Sequence, residues 1–99
     1  MTTGRKFDSD KLRCDLLPFA ELEEVVDVLT YGANKYADNN WQVVPEAKNR
    51  YLSALLRHIF AYARGEENDP ESNKSHLAHA CCNVLFLMWF NKKQTKEKH

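Results

Sequence analysis

The sequence predicts an all-α protein in which three main helices follow an extended N-terminal arm and assemble into a helical oligomer. Apolar residues make up 43% of the 99-residue chain, which is typical of a folded globule. They recur at helical spacing in three long segments. Prolines and glycines stand near the ends of those segments. We expect a single domain, 1–99, with an arm over 4–17, a helical core over 18–92 and a polar tail over 93–99.

The first predicted helix begins at Pro18, because proline is favoured at the first helical position, and runs to about Tyr36 or Ala37. The polar residues 38–40 that follow are of types that stop helices. Its apolar stripe consists of Leu22, Val25, Val26, Leu29, Ala33 and Tyr36.

The second predicted helix runs from Pro45 to Gly65, and the third from about Lys74 to Lys92. Asp69-Pro70, ahead of the third helix, is typical of an N-cap followed by a first-turn proline.

The core face predicted for the second helix consists of Leu52, Leu55, Leu56, Ile59, Phe60 and Ala63. The third helix is apolar on all sides over 84–90, which indicates a subunit interface and hence a homo-oligomer.

Composition excludes several classes of protein. The 14 basic and 14 acidic residues balance, so no overall field attracts a nucleic-acid polymer or an anionic membrane. No apolar run approaches the roughly 20 residues that span a bilayer, and the first ten residues do not form a signal peptide. We therefore expect a cytoplasmic protein. The odd number of cysteines, Cys14, Cys81 and Cys82, predicts reduced thiols buried as small apolar side chains.

Glu21 and Glu24 form the first candidate for chemistry. Three residues apart on a helix, their carboxylates share one face and could hold a divalent cation such as Mg²⁺. The alternative is purely structural, because acidic residues near a helix N-terminus also favour the helix dipole.

His76, His79 and Asn83 form the second candidate. They share one face of the third helix, which continues into Leu87 and Phe90, so they are expected to point inward. Buried polar groups need partners, and those partners could be Glu21 and Glu24, a metal or a ligand. Alternatively, the histidines are hydrogen-bonded core residues.

A basic stripe and a polar loop form the third candidate. Arg50, Arg57 and Arg64 repeat every seven residues with small residues between them, and a guanidinium suits bidentate binding of phosphate. They could equally form ion pairs with nearby acids. His58 could stack on a base or fill space. In the loop, Asn40-Trp41 offers an amide and an indole for base recognition, unless the core itself covers the indole.

A set of short motifs occurs in one order along most of the chain. These motifs are Lys6-Phe7-Asp8, Lys11-Leu12-Arg13, Asp15-Leu16-Leu17-Pro18, Tyr31-Gly32-Ala33-Asn34-Lys35-Tyr36, Asn40-Trp41, Leu56-Arg57-His58, Gly65-Glu66, Asp69-Pro70-Glu71-Ser72 and His76-Leu77-Ala78-His79-Ala80 with Asn83. In these motifs the chain resembles the largely phage-encoded dATP/dGTP diphosphohydrolase N-terminal domain. That family is grouped with the all-helical MazG-like pyrophosphohydrolases. MazG-like enzymes carry a further Glu-x-x-Asp pair on a later helix, where this sequence has histidines and Asn83. Asn73 also stands where glycine is expected, and asparagine tolerates left-handed backbone.

The resemblance implies that Glu21 and Glu24 are catalytic and hold Mg²⁺ or Mn²⁺ over a nucleoside triphosphate. The expected ligand-binding residues are Lys11, Arg13, Lys35, Tyr36, Asn40, Trp41, Arg57, His58, His76, His79 and Asn83. The expected partners are a nucleotide and further copies of the chain, in the host cytoplasm if the protein is phage-encoded.

Three hypotheses for function follow. The first is a metal-dependent purine deoxynucleoside triphosphate pyrophosphohydrolase. The second is a phage sponge with an anti-defence role, which sequesters a nucleotide immune signal, such as a cyclic nucleotide or an ADP-ribose derivative, without cleaving it. The third is a helical oligomer with an assembly role.

Overall fold

The computed structural model describes residues 10–97, with side chains through residue 93. The all-α prediction is confirmed. The helices are α1 (Phe19–Lys35), α2 (Ala47–Ala63) and α3 (His76–Glu97), with short 3-10 turns at Cys14–Leu16 and Asn40–Gln42. A two-stranded antiparallel hairpin, β1 (Asn68–Asp69) and β2 (Lys74–Ser75), joins α2 to α3. None of the helices described is both long enough and apolar enough to cross a membrane.

The arm is not wholly extended. Residues 4–9 of the predicted arm lie outside the described residues, and Cys14–Leu16 forms a 3-10 turn in which Leu17 N donates to Cys14 O at 3.2 Å. Pro18 is the N-cap of α1 rather than its first residue, with an extended backbone at ψ 103°. The helix ends where Tyr36 N donates to Gly32 O at 3.0 Å.

A glycine-dependent turn ends α2. Gly65 has φ +102°, a conformation that L side chains rarely adopt. Its N–H donates to Tyr62 O at 2.9 Å, while Glu66 N donates to Ala61 O at 3.0 Å, the bond pair of a Schellman motif. This turn brings Glu66 back beside the helix. At its other end α2 begins at Ala47, two residues after Pro45.

The hairpin corrects the predicted start of α3. Asp69 Oδ1 accepts a hydrogen bond from Glu71 N at 2.9 Å, so Asp69-Pro70 opens the hairpin turn instead of capping a helix. Asn73 completes that turn with φ 60°, which confirms that asparagine tolerates left-handed backbone here. The N-cap of α3 is Ser75, whose Oγ accepts from the N–H groups of Leu77 and Ala78 at 3.1 and 3.2 Å.

The predicted tail begins too early. α3 continues through Glu97 instead of ending near Lys92, because Lys, Gln and Glu favour helix and no proline or glycine stops it. Residues 98–99 of the predicted tail lie outside the described residues.

α3 is the central helix, and both α1 and α2 pack against it. Val25 and Val28 of α1 meet Ala78 and Cys82 of α3 in a small apolar core. An aromatic cluster lies along the second half of α3, and it consists of Trp41, Tyr51, Phe86, Trp89 and Phe90. Because α1 and α2 share a partner, α3 fixes how they sit relative to each other.

The core face predicted for α2 is largely wrong. Leu52, Leu56, Ile59 and Phe60 are exposed in this chain. Ala63 is exposed as well, and Leu55 of the predicted face is half-buried. The side that turns inward also carries Tyr51, Ala54, His58 and Ala61, which are half-buried or buried. Tyr51 packs on the aromatic cluster and His58 on the histidines of α3, so side-chain partners, not apolarity alone, orient the helix.

The apolar segment 84–90 does not act as one surface. Phe86, Trp89 and Phe90 pack within the chain in the aromatic cluster, while Val84, Leu85 and Met88 are exposed. On α1, Leu22, Val26 and Tyr36 of the predicted stripe are likewise exposed. The homo-oligomer therefore stays a prediction.

The prediction that the cysteines are buried is wrong for two of the three. Cys14 and Cys81 are exposed, and only Cys82 is buried. The Cys82 thiol donates to Val25 O at 3.4 Å, and burial raises its pKa to about 12. Because thiolate is the reactive form, Cys82 is protected both by its burial and by its raised pKa.

We expect a thiol-reactive disulfide reagent to modify Cys14 and Cys81 rapidly in the folded protein and Cys82 only after unfolding. Rapid native labelling in a Cys14→Ser, Cys81→Ser variant would contradict this packing.

Candidate functional site

A groove of about 1150 Å³ lies between α1 and α2, with α3 as its floor. The second half of α1 and the segment 37–41 form one wall, and the inner side of α2 forms the other. His79, Asn83 and Phe86 of α3 line the bottom. The groove exists because two helices pack on a common third helix without closing on each other.

The charged side chains of this groove are mostly basic. Arg50 and Arg57 line it from α2, one heptad apart, and the acidic residue that lines it is Asp38. Arg57 Nη1 donates to Ser53 Oγ at 3.1 Å. In the described part of the chain neither arginine has a carboxylate within 4.0 Å. Two guanidinium groups without acidic partners make this wall suitable for an anion.

A chain of three side chains leads away from the groove. His58, which lines the groove, places its Nδ1 2.8 Å from Nδ1 of His76. His76 is 4% exposed, and its Nε2 lies 2.7 Å from Glu66 Oε1. The carboxylate accepts the Nε2 proton of His76, which leaves His76 Nδ1 as the acceptor for the Nδ1 proton of His58. In this tautomer, Nε2 of His58 carries a lone pair.

His79 is held separately. Its ring stacks on that of His58 with centroids 4.5 Å apart and planes 7° from parallel. Ser72 Oγ accepts from Lys74 N at 3.2 Å and is hydrogen-bonded to His79 Nε2, which lies 2.7 Å away. One turn later, Asn83 Nδ2 donates to His79 O at 2.9 Å. The hairpin thus fixes the orientation of His79.

Burial keeps this histidine pair neutral. Desolvation lowers the pKa of His58 to about 4, reinforced by the nearby His79 and His76 and opposed by Asp69. Burial also lowers the pKa of His79, against the opposing charge of Asp69. At neutral pH His58 is therefore a neutral imidazole and adds no positive charge to the groove that it lines.

His58, Asp69 and His79 are close enough to be considered as a metal site. Each offers a ligand atom, and these atoms lie within 4.8 Å of one another. The stacked rings, however, direct their in-plane lone pairs side by side instead of toward one point. His79 Nε2 is also already hydrogen-bonded to Ser72 Oγ. A metal would require rotation of a ring and loss of that hydrogen bond, so the arrangement does not fit one.

Of the expected ligand-binding residues, most line the groove: Tyr36, Asn40, Trp41, Arg57, His58, His79 and Asn83. Four others do not line it. His76 lies behind His58, and Lys35 Nζ pairs with Glu71 Oε1 at 2.7 Å. Arg13 makes two 2.8 Å bonds to Asp15, and Lys11 lies outside the groove on the exposed arm. Their roles in binding stay predictions.

Trp41 has a structural partner. Its indole stacks on Phe86 with centroids 4.5 Å apart and meets Trp89 edge-on at 5.1 Å. Tyr51 Oη donates to Trp41 O at 2.9 Å. Core aromatic rings therefore cover one face of the indole, as the structural alternative expected. Trp41 also lines the groove.

Glu21 and Glu24 lie away from the groove. Both are exposed, and neither belongs to the groove lining or to a potential metal cluster in the described residues. Of the inward histidines, His76 takes Glu66 and His58 as partners and His79 takes Ser72, so neither is paired with Glu21 or Glu24.

Sequence reasoning missed Glu66, Asp69 and Ser72 as members of the histidine cluster. The segment 66–75 is visibly polar, but its return across the end of α2 depends on the turn at Gly65 and on the hairpin register. The available signal was that two inward histidines needed partners, and this segment immediately precedes them.

The model of the family described as dATP/dGTP diphosphohydrolase, N-terminal, matches residues 1–99. The chain belongs to this family. It is also 34% identical over 96 residues to a dATP/dGTP diphosphohydrolase of Salmonella phage PMBT28. The match covers 96% of the chain but 32% of that relative, so the chain spans about a third of the relative's length. No solved structure matches.

The lowered pKa of His58 predicts acid sensitivity. The unfolded chain binds a proton near pH 6.5 and the folded chain only near pH 4, so the unfolded state holds more protons between these values. The free energy of unfolding should therefore decrease as the pH falls from 6.5 to about 4. Denaturant titrations at several pH values measure this. In His58→Gln the decrease should be shallower, and an equal slope in both proteins would contradict the assignment.

Proposed function

We propose that the groove binds a purine deoxynucleoside triphosphate and that the protein hydrolyses it between the α and β phosphates, giving the monophosphate and pyrophosphate. The observation that carries the binding step is the Arg50 and Arg57 pair, neither of which has a carboxylate partner among the residues that the structure describes. The family and the name of the phage relative supply the choice of dATP or dGTP.

The dimensions and lining of the groove suit such a ligand. Pockets for small molecules usually enclose roughly 300–1,000 Å³, and this groove is slightly larger. The arginines provide planar donors for phosphate oxygens. Asn40 and Asn83 supply amides, which can pair with the donor and acceptor edge of a purine, and Asn83 is 7% exposed and held by His79.

The chemistry follows from the charge of the substrate. Attack of water on a phosphorus builds negative charge on the phosphate oxygens and the leaving pyrophosphate, and cationic side chains stabilise that charge. Arg57, His58 and His79 all line the groove, so phosphate bound by Arg57 would share the groove with the histidine pair. Cationic groups and a neutral histidine would then act on the same ligand.

Metal dependence is a further part of the proposal. Mg²⁺ or Mn²⁺ would be held by Glu21 and Glu24, whose carboxylates are exposed and one turn apart, and would neutralise phosphate charge when bound. Neither glutamate is among the residues that line the groove. We therefore derive no step of hydrolysis in this groove through the metal.

A second candidate function is capture of a nucleotide without hydrolysis, in an anti-defence role. The composition of the groove favours it, because Asp38 is the acidic residue among the described lining residues and one carboxylate is a weak site for a divalent cation. The ligand in that case would be a cyclic nucleotide or an ADP-ribose derivative.

The basic wall can be tested with a matched pair of variants. Arg57→Ala removes a guanidinium that lines the groove, whereas Arg64→Ala removes the next arginine of the same stripe, which is the exposed C-cap of α2. We expect Arg57→Ala to weaken dGTP binding about 10- to 100-fold by calorimetry, the loss of one charge-assisted contact of roughly 1.5–3 kcal/mol. Arg64→Ala should bind normally. Equal effects of the two changes would place the phosphates elsewhere.

Catalysis and capture make different predictions for Glu24→Gln. If Glu21 and Glu24 hold an activating metal, this change should reduce pyrophosphate release from dATP or dGTP by orders of magnitude with the melting temperature preserved. A chelator should have the same effect on the wild type. Under the capture hypothesis, the wild type releases no pyrophosphate with Mg²⁺ or Mn²⁺ yet binds a nucleotide tightly in the presence of chelator. Neither turnover nor binding across a nucleotide panel would leave only the assembly role.

A further inference from the structure

We propose that Glu66, His76 and His58 form a proton relay from the groove to solvent, in which His58 Nε2 is the base that accepts a proton from the attacking water. This inference deepens the proposed hydrolytic function and rests on it. His58 would be a catalytic residue, and His76 and Glu66 would be positioning residues.

The geometry of the relay is continuous. His58 lines the groove, its Nδ1 lies 2.8 Å from His76 Nδ1, and His76 Nε2 lies 2.7 Å from Glu66 Oε1. The middle member is buried, at 4% exposure, while the Glu66 side chain is 51% exposed. A proton that enters at the groove can therefore leave at a carboxylate in contact with water, without crossing the substrate.

The hydrogen bonds fix the direction of the relay. An ionised Glu66 carboxylate accepts hydrogen bonds but cannot donate one. The His76 Nε2 proton therefore points to Glu66, and His76 Nδ1 becomes an acceptor. His58 must then donate through Nδ1. Its other nitrogen, Nε2, remains unprotonated on the edge of the ring turned away from His76. A histidine whose second nitrogen is held in this way is a general base with a defined tautomer.

The surrounding charges set when His58 holds a proton. From α3, His76 and His79 disfavour it, and Arg57 on its own helix does the same. From the hairpin, Asp69 favours it. The charges that act on the stacked His79 are Asp69 and Glu71, opposed by Lys74 and His76. A bound triphosphate would add negative charge to this balance, so His58 becomes a stronger base when the substrate is present.

The proposed step balances without any further reactant. Water attacks the α phosphorus, an O–P bond forms, and the bond from that phosphorus to the oxygen bridging to the β phosphate breaks, so pyrophosphate leaves with the electron pair. The water proton goes to His58 Nε2. The Nδ1 proton of His58 moves to His76 Nδ1, and the resulting imidazolium is paired with the Glu66 carboxylate.

The stack on His79 keeps the base oriented. Parallel rings 4.5 Å apart limit rotation of the His58 ring about its Cβ–Cγ bond, and Ser72 in turn holds His79. His79 Nε2 is occupied by the Ser72 hydroxyl, whereas His58 Nε2 has no hydrogen-bond partner among the described residues and is available for water.

The test compares Glu66→Gln with Glu67→Gln. Glutamine at 66 can still accept from His76 but has no charge to stabilise its imidazolium, whereas Glu67 is an exposed neighbour whose backbone carbonyl, not its side chain, contacts His76. We expect Glu66→Gln to lower kcat for dGTP by roughly 10- to 100-fold with little change in KM, within the range of general-base effects. The acidic limb of its pH profile should move to lower pH, because the protonated relay is less stable. Glu67→Gln should match the wild type.

A second measurement does not need turnover. Nitrogen NMR of the histidine rings in the wild type should show His58 protonated at Nδ1 and unprotonated at Nε2 at neutral pH. The opposite tautomer would overturn the relay, as would turnover in which Glu66→Gln and Glu67→Gln behave alike. Absence of turnover in the wild type would instead overturn the hydrolytic function, and with it the role of His58 as a base.

Discussion

His76 is a histidine that begins a helix and is nevertheless almost completely buried, and most of the site follows from the need to satisfy its two ring nitrogens. One bonds Glu66 and the other bonds His58. An unpaired polar group at this depth would cost about 1–3 kcal/mol, which is a large part of the stability of a small domain. The pairing ties the end of α2 to the beginning of α3 and turns His58 toward the groove.

The same constraint explains the shape of the groove. With His58 fixed against α3 at one end and Tyr51 against the aromatic cluster at the other, α2 has a single rotation about its axis. That rotation places Arg50 and Arg57 on the groove side. It also leaves apolar residues of α2 on the outside. The rotation of α2 therefore explains both the polar side chains in the groove and the exposed apolar side of this helix.

The inward placement of the histidines and Asn83 on α3 was predictable from spacing alone, because residues three, four and seven apart share a helix face. Their partners were not predictable in the same way. Glu66 reaches His76 only because Gly65 adopts a left-handed conformation, and Ser72 reaches His79 only through the hairpin register. These contacts depend on the direction in which the chain turns at Gly65 and in the hairpin, and the polar residue types alone do not predict that direction.

By itself the sequence determined the three helices, their approximate ends and the family, since periodicity, prolines, glycines and motif order are local properties. It did not determine which side of α2 is inside. Leucine, isoleucine and phenylalanine occupy one side of that helix, and tyrosine, alanine and histidine occupy the other, so hydrophobicity favours the wrong one. Only the tertiary structure decided it, because the stacking of Tyr51 and the hydrogen bonding of His58 need specific partners on α3, and those partners are brought together by the fold.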